Sequence, residues 1–344
     1  MIRSGAKIMK RWVLKSGKTT LDGLVIEDVV KPEPGPGEVR VRIRAVSLNY
    51  REQLILGNAG GNWRVDRDLI PVADGAGDID AVGEGVEQWS PGDKVITVYL
   101  RDFIHWPPHA DIGLGLGSLD EDGVLAEYVV LSADRLSRAP GTLNDVEAST
   151  LPCAALTAWT ALQNAYPVTS GQKVLSLGTG SVSLFAMAFA QALGAKTYLT
   201  TSQDDKRSRL LELGAEAVFN YRHDENWGQS IYDATGGVDK VVNTAGFGSM
   251  NQSVQALAFG GDIGLIGLFD FGDVIEPGSF LAKGVSVRGI PVGSRDGLEE
   301  MVSFIDKHQI KPVIDRVVPF ADAKHAYQAQ GAPDLFGKVV IKIA

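Results

Sequence analysis

Lys173-Val174-Leu175-Ser176-Leu177-Gly178-Thr179-Gly180-Ser181-Val182-Ser183 reads as a strand, a glycine turn and the start of a helix, and this stretch decides the fold. Gly178 permits the tight turn off the strand. Gly180 lacks the Cβ that would keep a pyrophosphate from the helix N-terminus, where free N–H groups and the positive dipole end favour anions. Ser183 stands where the third glycine of Gly-x-Gly-x-x-Gly belongs, so a serine must pack where helix meets strand. The context that the motif needs is present on both sides. Phe185, Ala186, Phe189, Ala190 and Leu193 give a helical apolar stripe ending at Gly194, and residues 196–201 read as the next strand. Gly178, Thr179, Gly180, Ser181, Val182 and Ser183 are therefore expected to hold a dinucleotide.

Outward from this turn, strands are expected at 173–177, 196–201, 217–220, 239–243, 262–267 and 285–290, alternating with helices. That alternation marks a doubly wound parallel sheet of six strands with right-handed crossovers. Up to about residue 151 the texture is β-rich instead, with strands expected at 10–15, 24–29, 38–46, 77–82, 93–98 and 125–131. In the third of these, Val39, Val41, Ile43 and Ala45 alternate with Arg40, Arg42 and Arg44, the pattern of a half-buried strand. Pro34-Gly35-Pro36-Gly37 and Pro91-Gly92-Asp93 punctuate the run. The tail returns to strands at 312–319 and 337–343 around a helix at 321–329.

A length of 344 residues suggests two domains, and 44% hydrophobic residues supply two cores. A net charge of -9 argues against a nucleic-acid partner, which needs a concentrated basic face. A single cysteine excludes an intrachain disulfide framework. No apolar run reaches membrane-spanning length, and residues 1–12 lack the apolar core of a signal peptide, so a cytoplasmic protein with no membrane partner is expected. Met9 is an alternative start, with residues 1–8 then an extension.

Several further motifs carry a family resemblance: Leu48-Asn49-Tyr50-Arg51-Glu52, Pro71-Val72-Ala73-Asp74-Gly75-Ala76-Gly77, Gly83-Glu84-Gly85-Val86, Pro91-Gly92-Asp93-Lys94-Val95, residues 148–161, and Gly337-Lys338-Val339-Val340. With these the chain resembles the medium-chain dehydrogenase/reductase superfamily over nearly its whole length, on the zinc-independent quinone oxidoreductase-like side or an alcohol dehydrogenase-like branch near it. The resemblance implies an α/β protein in which a GroES-like β-rich catalytic domain (1–155 and 311–344) accompanies a Rossmann NADP-binding domain (156–310). It also implies a homodimer paired through the sixth strand of the dinucleotide sheet, residues 284–290.

Zinc enzymes of that superfamily hold the catalytic metal with an early cysteine, a His-Glu pair and a later cysteine. This chain has Asn49 and Ala73-Asp74 at the first two positions, and only Cys153, four residues before Thr157, keeps a ligand type. One soft ligand and one carboxylate fall short of the three protein ligands of a catalytic zinc site, so no zinc is expected. The cysteine-rich lobe of structural zinc is also missing, its place taken by residues 101–122 without a cysteine. His105-Trp106-Pro107-Pro108-His109, with Asp102 and Asp111 nearby, reads as a solvated loop because the Pro-Pro pair prevents a helix that would put both histidines on one face. His223, His308 and His325 read as structural.

An NAD enzyme places Asp or Glu at the end of the second strand to bond the ribose 2′-OH. Thr201 and Ser202 stand there, which removes the repulsion of a 2′-phosphate. The resemblance puts Lys206 and Tyr221 on that phosphate, while Asp204 and Asp205 add opposing charge. NADPH is expected over NADH; the bland reading has Ser202 capping a helix and Lys206 solvated. Because ligands bind beyond the carboxyl ends of such strands, Asn243, Gly267, Leu268 and Phe269 are also expected near the cofactor, as is Thr157, and the resemblance adds Val292, Gly293 and Ser294.

Hydride transfer without a Lewis acid calls for an acceptor that is already electrophilic, a small apolar quinone or α,β-unsaturated carbonyl. Asn49 and Tyr50, an amide and a phenol donor, are the expected catalytic pair, which the resemblance puts at the nicotinamide end of the cleft. Either Tyr50 or solvent supplies the proton, and the bland reading has both side chains buttressing a loop. Tyr99, Phe103, Trp106, Leu56, Trp63, Phe269 and Phe271 are candidates to wall the substrate, with residues 99–123, containing Gly113, Gly115 and Gly117, as a mobile cover. Two other classes stay open, a zinc-independent alcohol or aldehyde dehydrogenase and a non-catalytic NADPH-binding sensor or structural protein. NADPH binding and turnover of quinones, enones and aldehydes separate them.

Overall fold

The structure, a computed structural model, describes residues 7–57, 59, 63–119, 121–268, 272 and 275–343. The chain divides into two compact units, residues 1–153 with 294–344 and residues 154–293.

The first unit opens with an antiparallel pair, β1 (Ile8–Leu14) and β2 (Leu24–Val30). It continues through β3 (Glu38–Ser47), β4 (Asp74–Val82), β5 (Lys94–Thr97), β6 (Tyr128–Ser132) and β7 (Leu136–Arg138). The alternation of β3 is realised: Val39, Val41, Ile43 and Ala45 are buried, while Arg40 and Arg44 reach across to Asp80 and Asp78 of β4 at 2.6 and 2.5 Å. Such cross-strand ion pairs align neighbouring strands more than they stabilise them. β4 starts three residues earlier than its sequence suggests. Asp74, Gly75 and Ala76 pair with Ser47, Val46 and Ala45, a tertiary pairing that extends the strand beyond its local pattern. β7 has no counterpart among the expected strands, because three residues are too few to show a period of two.

The second unit holds β8 (Lys173–Ser176), β9 (Lys196–Thr201), β10 (Ala217–Asn220), β11 (Val238–Asn243), β12 (Leu257–Leu265) and β13 (Ser286–Gly289). All pair parallel in the order β10-β9-β8-β11-β12-β13, so the winding reverses between β8 and β11. Leu175, Val241 and Ile263 of the sheet pack on Ile231 and Val254 of the covering helices, all fully buried. Ligands of such sheets bind beyond the carboxyl ends of the strands at the reversal, which is where the Gly178 turn lies.

The chain then returns to the first unit. β14 (Ile314–Pro319) runs parallel to β15 (Lys338–Lys342), which pairs antiparallel with β3, completing a seven-stranded sheet of order β14-β15-β3-β4-β5-β7 with β6 on β3. The helix Arg295–His308 goes with the first unit, which resumes at Ser294, where the resemblance implied 311. Hydrogen bonds hold it there: Phe103 O and Ile104 O accept from Arg295 N and Asp296 N, and Asp306 accepts from Gly141 N and Thr142 N. Among the described residues no helix is long and apolar enough to cross a membrane.

Candidate functional site

In the second unit, β8 ends in the turn at Gly178, whose φ of +79° suits glycine, and Gly180 caps the helix Ser181–Ala192. A Cβ on either glycine would meet nothing within 4 Å, so the space in front of the turn is open. Ser183 is fully buried, and its hydroxyl donates to Leu177 O at 2.6 Å and meets Thr244 Oγ1 at 3.2 Å. It braces the turn from behind, the packing role that the missing glycine leaves to it.

Asn243, at the end of β11, is fully buried. Its amide nitrogen donates to Gly246 O, Ser249 Oγ and Ser253 Oγ, and its oxygen accepts from Ala245 N and Gly246 N. The whole side chain is spent on shaping the loop after β11. Gly267 passes so close to that loop that a Cβ would lie 2.4 Å from the Thr244 and Ala245 backbone, which makes glycine obligatory there. Leu268 is exposed, Val292 takes a left-handed φ of 75°, and Thr157 is buried on the helix Leu156–Gln163. Phe269 and Phe271 lie outside the described residues.

At the end of β9, Thr201 is buried and Ser202 half-buried. Lys206 is only 7% exposed, on the first turn of the helix Asp205–Glu212, whereas Tyr221 is 42% exposed. Asp204 accepts from Asn220 Nδ2 at 2.8 Å and has His223 Nδ1 at 3.7 Å, so His223 has a carboxylate partner that its sequence context did not suggest.

In the first unit, Asn49 precedes the helix Tyr50–Leu56 and is 7% exposed, while Tyr50 is 40% exposed. Glu52 reaches back to accept from Asn49 N at 2.7 Å, half of a capping box. Lys338, the first residue of β15, is 1% exposed. Its ammonium donates to Asn49 Oδ1 at 2.6 Å, Leu48 O at 3.1 Å and Asp74 Oδ2 at 3.3 Å. Asp74 Oδ2 also accepts from Cys153 N at 3.3 Å. Beside this knot Arg51 pairs with Glu52 at 3.0 Å and donates to Gly117 O at 3.0 Å. Two cations and two anions are thus buried together, and their charges cancel. Three polar atoms among them, Asn49 Nδ2, Asp74 Oδ1 and Arg51 Nε, are buried with no hydrogen-bond partner in the chain.

Burial pushes the Asp74 and Glu52 carboxyls above the ordinary carboxylate range, with Lys338 and Arg51 pulling the other way. Burial also pushes the Cys153 thiol well up, helped by the Asp74 carboxylate. The neutral thiol is expected to react with iodoacetamide at pH 8 at least about tenfold slower than free cysteine. Alkylation at the free-cysteine rate would mean that the site stabilises the thiolate.

Two residues before Asp74, Val72 takes a φ of 75°, an outlier for a β-branched side chain, and its carbonyl accepts from Val124 N at 2.8 Å. Tyr99 and Trp63 gather round the Arg51 guanidinium, at 5.2 and 6.0 Å from ring centroid to carbon, and Phe103 is core, 5.9 Å from Trp106. Both ends of the 99–123 segment are tied down, by Leu116 N to Tyr99 O and by Gly123 N to Ile70 O. His105 Nδ1 pairs with Asp296, and His109 Nε2 meets Asp102 O at 2.8 Å. Among the described residues no group of three or more His, Cys, Asp or Glu side chains is placed to hold a metal ion.

Sequence reasoning named Asn49 but missed Lys338, Glu52 and Arg51 as its neighbours. Lys338 stands just ahead of the apolar run Val339-Val340-Ile341 and reads as a solvated strand end, so the sequence carried no signal of its burial.

Residues 35–141 match the family described as alcohol dehydrogenase GroES-like domain, and residues 181–307 match that described as zinc-binding dehydrogenase. The chain is 37% identical over 349 residues to the zinc-type alcohol dehydrogenase-like protein C1773.06c of Schizosaccharomyces pombe, covering 97% of this chain and 99% of that one. A solved structure of an NAD-dependent alcohol dehydrogenase is 30% identical with a TM-score of 0.87, covering 98% of this chain and 100% of that one. The acryloyl-coenzyme A reductase of Sulfurisphaera tokodaii is 27% identical over 329 residues, 93% of this chain and 96% of that one.

Proposed function

The chain belongs to the medium-chain dehydrogenase/reductase superfamily, with a GroES-like unit and a Rossmann unit, and is an NAD(P)-dependent oxidoreductase; within that class we propose that it uses NADPH, without zinc, to reduce a small apolar α,β-unsaturated carbonyl or quinone. One observation carries the reading. The side-chain oxygens that would face a metal, Asn49 Oδ1 and Asp74 Oδ2, already face the Lys338 ammonium, whose positive charge stands where a cation would sit. These residues do not fit zinc, which takes deprotonated sulfur, imidazole and carboxylate ligands.

The mechanism that fits is a conjugate reduction. NADPH, when bound, would supply the hydride for the β-carbon of the acceptor; the residues of the chain would meet the charge that then develops on the carbonyl oxygen, and Tyr50 or water would give the proton to the α-carbon. Asn49 Nδ2, a buried donor with no well-formed hydrogen bond in the chain, would supply the hydrogen bond that the oxygen needs as its charge develops. The acryloyl-coenzyme A reductase relative supports a conjugated acceptor. An alcohol as hydride donor is the second reading, favoured by the alcohol dehydrogenases among the relatives.

Thr201 and Ser202, with no carboxylate at the ribose position, support NADPH, and Lys206 and Tyr221 are the proposed phosphate contacts. Lys206→Ala is expected to weaken NADPH binding about ten- to hundredfold, the worth of one charge-assisted contact, and to spare NADH. Equal loss for both cofactors, read by fluorescence quenching, would remove the assignment. The reading includes a cytoplasmic homodimer paired through β13, the edge strand of its sheet, on which Val287 is exposed. NADPH oxidation across a panel of quinones, enones and aldehydes, beside NADP⁺ reduction by alcohols, tests the whole. Binding without turnover would favour a sensor.

A further inference from the structure

Lys338 has no part in the reaction just described, yet it is among the most completely buried side chains of the chain. An ammonium has three N–H donors and no acceptor. All three are spoken for, by Leu48 O, Asn49 Oδ1 and Asp74 Oδ2. The shortest bond, 2.6 Å, goes to the Asn49 amide and settles which way that amide faces, since the flipped rotamer would set an NH2 against an NH3⁺. The same peptide is gripped twice, because Leu48 N donates to Val339 O at 3.0 Å while Leu48 O accepts from Lys338 Nζ. Asn49 therefore cannot turn without β15 moving.

The consequence falls on Nδ2. It is buried and has no acceptor in good hydrogen-bond geometry; the Asp74 carboxylate beside it feels the Asn49 amide as a hydrogen-bonding group that favours its charge, yet no well-formed bond closes between them. A buried donor without a partner is rare in folded chains and is tolerated where a ligand atom completes the bond. An amide whose oxygen is held by a cation also has more polarised N–H bonds, so it is a stronger donor than an ordinary asparagine. Because Asp74 neutralises Lys338 and Glu52 neutralises Arg51, the site gains this strength without net charge.

We infer that Lys338 is the positioning residue of this site: its ammonium, held between Asn49 Oδ1 and Asp74 Oδ2, fixes and polarises the Asn49 amide so that Nδ2 is presented to the substrate oxygen. The inference rests on the proposed donor role of Asn49, and its test separates the two. Lys338→Met alone strands the Asp74 carboxylate and is liable to misfold, so the informative variant is Lys338→Met with Asp74→Asn, which removes both charges at nearly constant volume. In the full-length, NADPH-loaded chain this double variant is expected to reduce cyclohexenone about tenfold more slowly in kcat, part of the worth of a preorganised donor, with KM and NADPH affinity changed less than about twofold. Independently of turnover, the side-chain amide resonance of Asn49, identified by its loss in Asn49→Asp, is expected to move toward that of a free asparagine in the double variant. An unchanged kcat overturns the inference. So does an unmoved resonance, since any loss of rate would then bypass Asn49. Asn49→Asp keeps an acceptor for Lys338 but has no N–H, and is expected to lose turnover as far as Asn49→Ala. Wild-type turnover by Asn49→Asp would instead bring down the donor reading of Asn49 itself.

Discussion

Asn49→Ala is expected to lower kcat for a conjugated carbonyl about 10²- to 10³-fold, the usual loss when one preorganised donor to a developing oxyanion is removed. The expectation follows from the unpartnered Nδ2 and from the Lys338 bond that holds the amide still. Because the donor acts on charge that exists only as hydride arrives, the loss belongs in kcat and in kcat/KM together, with NADPH affinity unmoved. Steady-state kinetics on an enone found in the panel assay makes the measurement. A loss confined to KM would mean that Asn49 only binds the ground state. The same substitution deprives Lys338 of an acceptor, so a stability loss of about 1–2 kcal/mol accompanies it. Turnover should be compared well below the unfolding temperature of the variant.

The largest effect on stability is expected in the other unit, from Asp262→Ala. Asp262 of β12 is nearly buried and accepts from Lys240 Nζ at 2.8 Å and from Arg288 Nε and Nη2 at 3.1 and 2.7 Å. Lys240 also holds Ala161 O and Tyr166 O, so the cluster ties the central strands to the end of the helix Leu156–Gln163 and to the segment after it. Removing the carboxylate leaves two cations facing each other out of water, a loss of about 3–5 kcal/mol in chemical denaturation. A loss under about 1 kcal/mol would mean that the cations relax into solvent.

The pH dependence has a definite sign. Burial by itself would raise the Asp262 carboxyl, but Arg288 and Lys240 beside it outweigh burial and hold it below the ordinary range. Its stabilisation is therefore present above the unfolded carboxylate value of about 3.9 and is lost as pH falls through the depressed folded value. Asp262→Ala should flatten that acid limb. Burial already lowers the Lys240 ammonium, and without Asp262 it falls further, so the variant should recover part of its stability as pH rises.

The legible parts of this protein were those written in short-range patterns. Lys196–Thr201 and Ala217–Asn220 lie where alternation and glycine punctuation put them, and β3 has its apolar residues on the inside. The parallel sheet of six strands follows from strand and helix taking turns along the chain, and the Gly178 turn from two glycines in a context that requires them. Each of these signals is carried by residues within about ten positions of one another, because side-chain period and turn geometry are local properties of the backbone.

Tertiary structure alone decided the rest. Asn243 and Ser183 were candidates for the cofactor by position, yet their polar atoms are consumed in bracing loops, which no spacing announces. The helix Arg295–His308 reads as the last helix of the dinucleotide unit until Phe103 and Ile104, far earlier in the chain, are found supplying its first acceptors. Lys338 meets Leu48 across 290 positions, and a lysine at a strand start gives no hint that its charge is buried. Backbone pattern specifies where elements form. Which buried polar groups satisfy one another depends on who is brought near whom, and only the folded chain makes that choice.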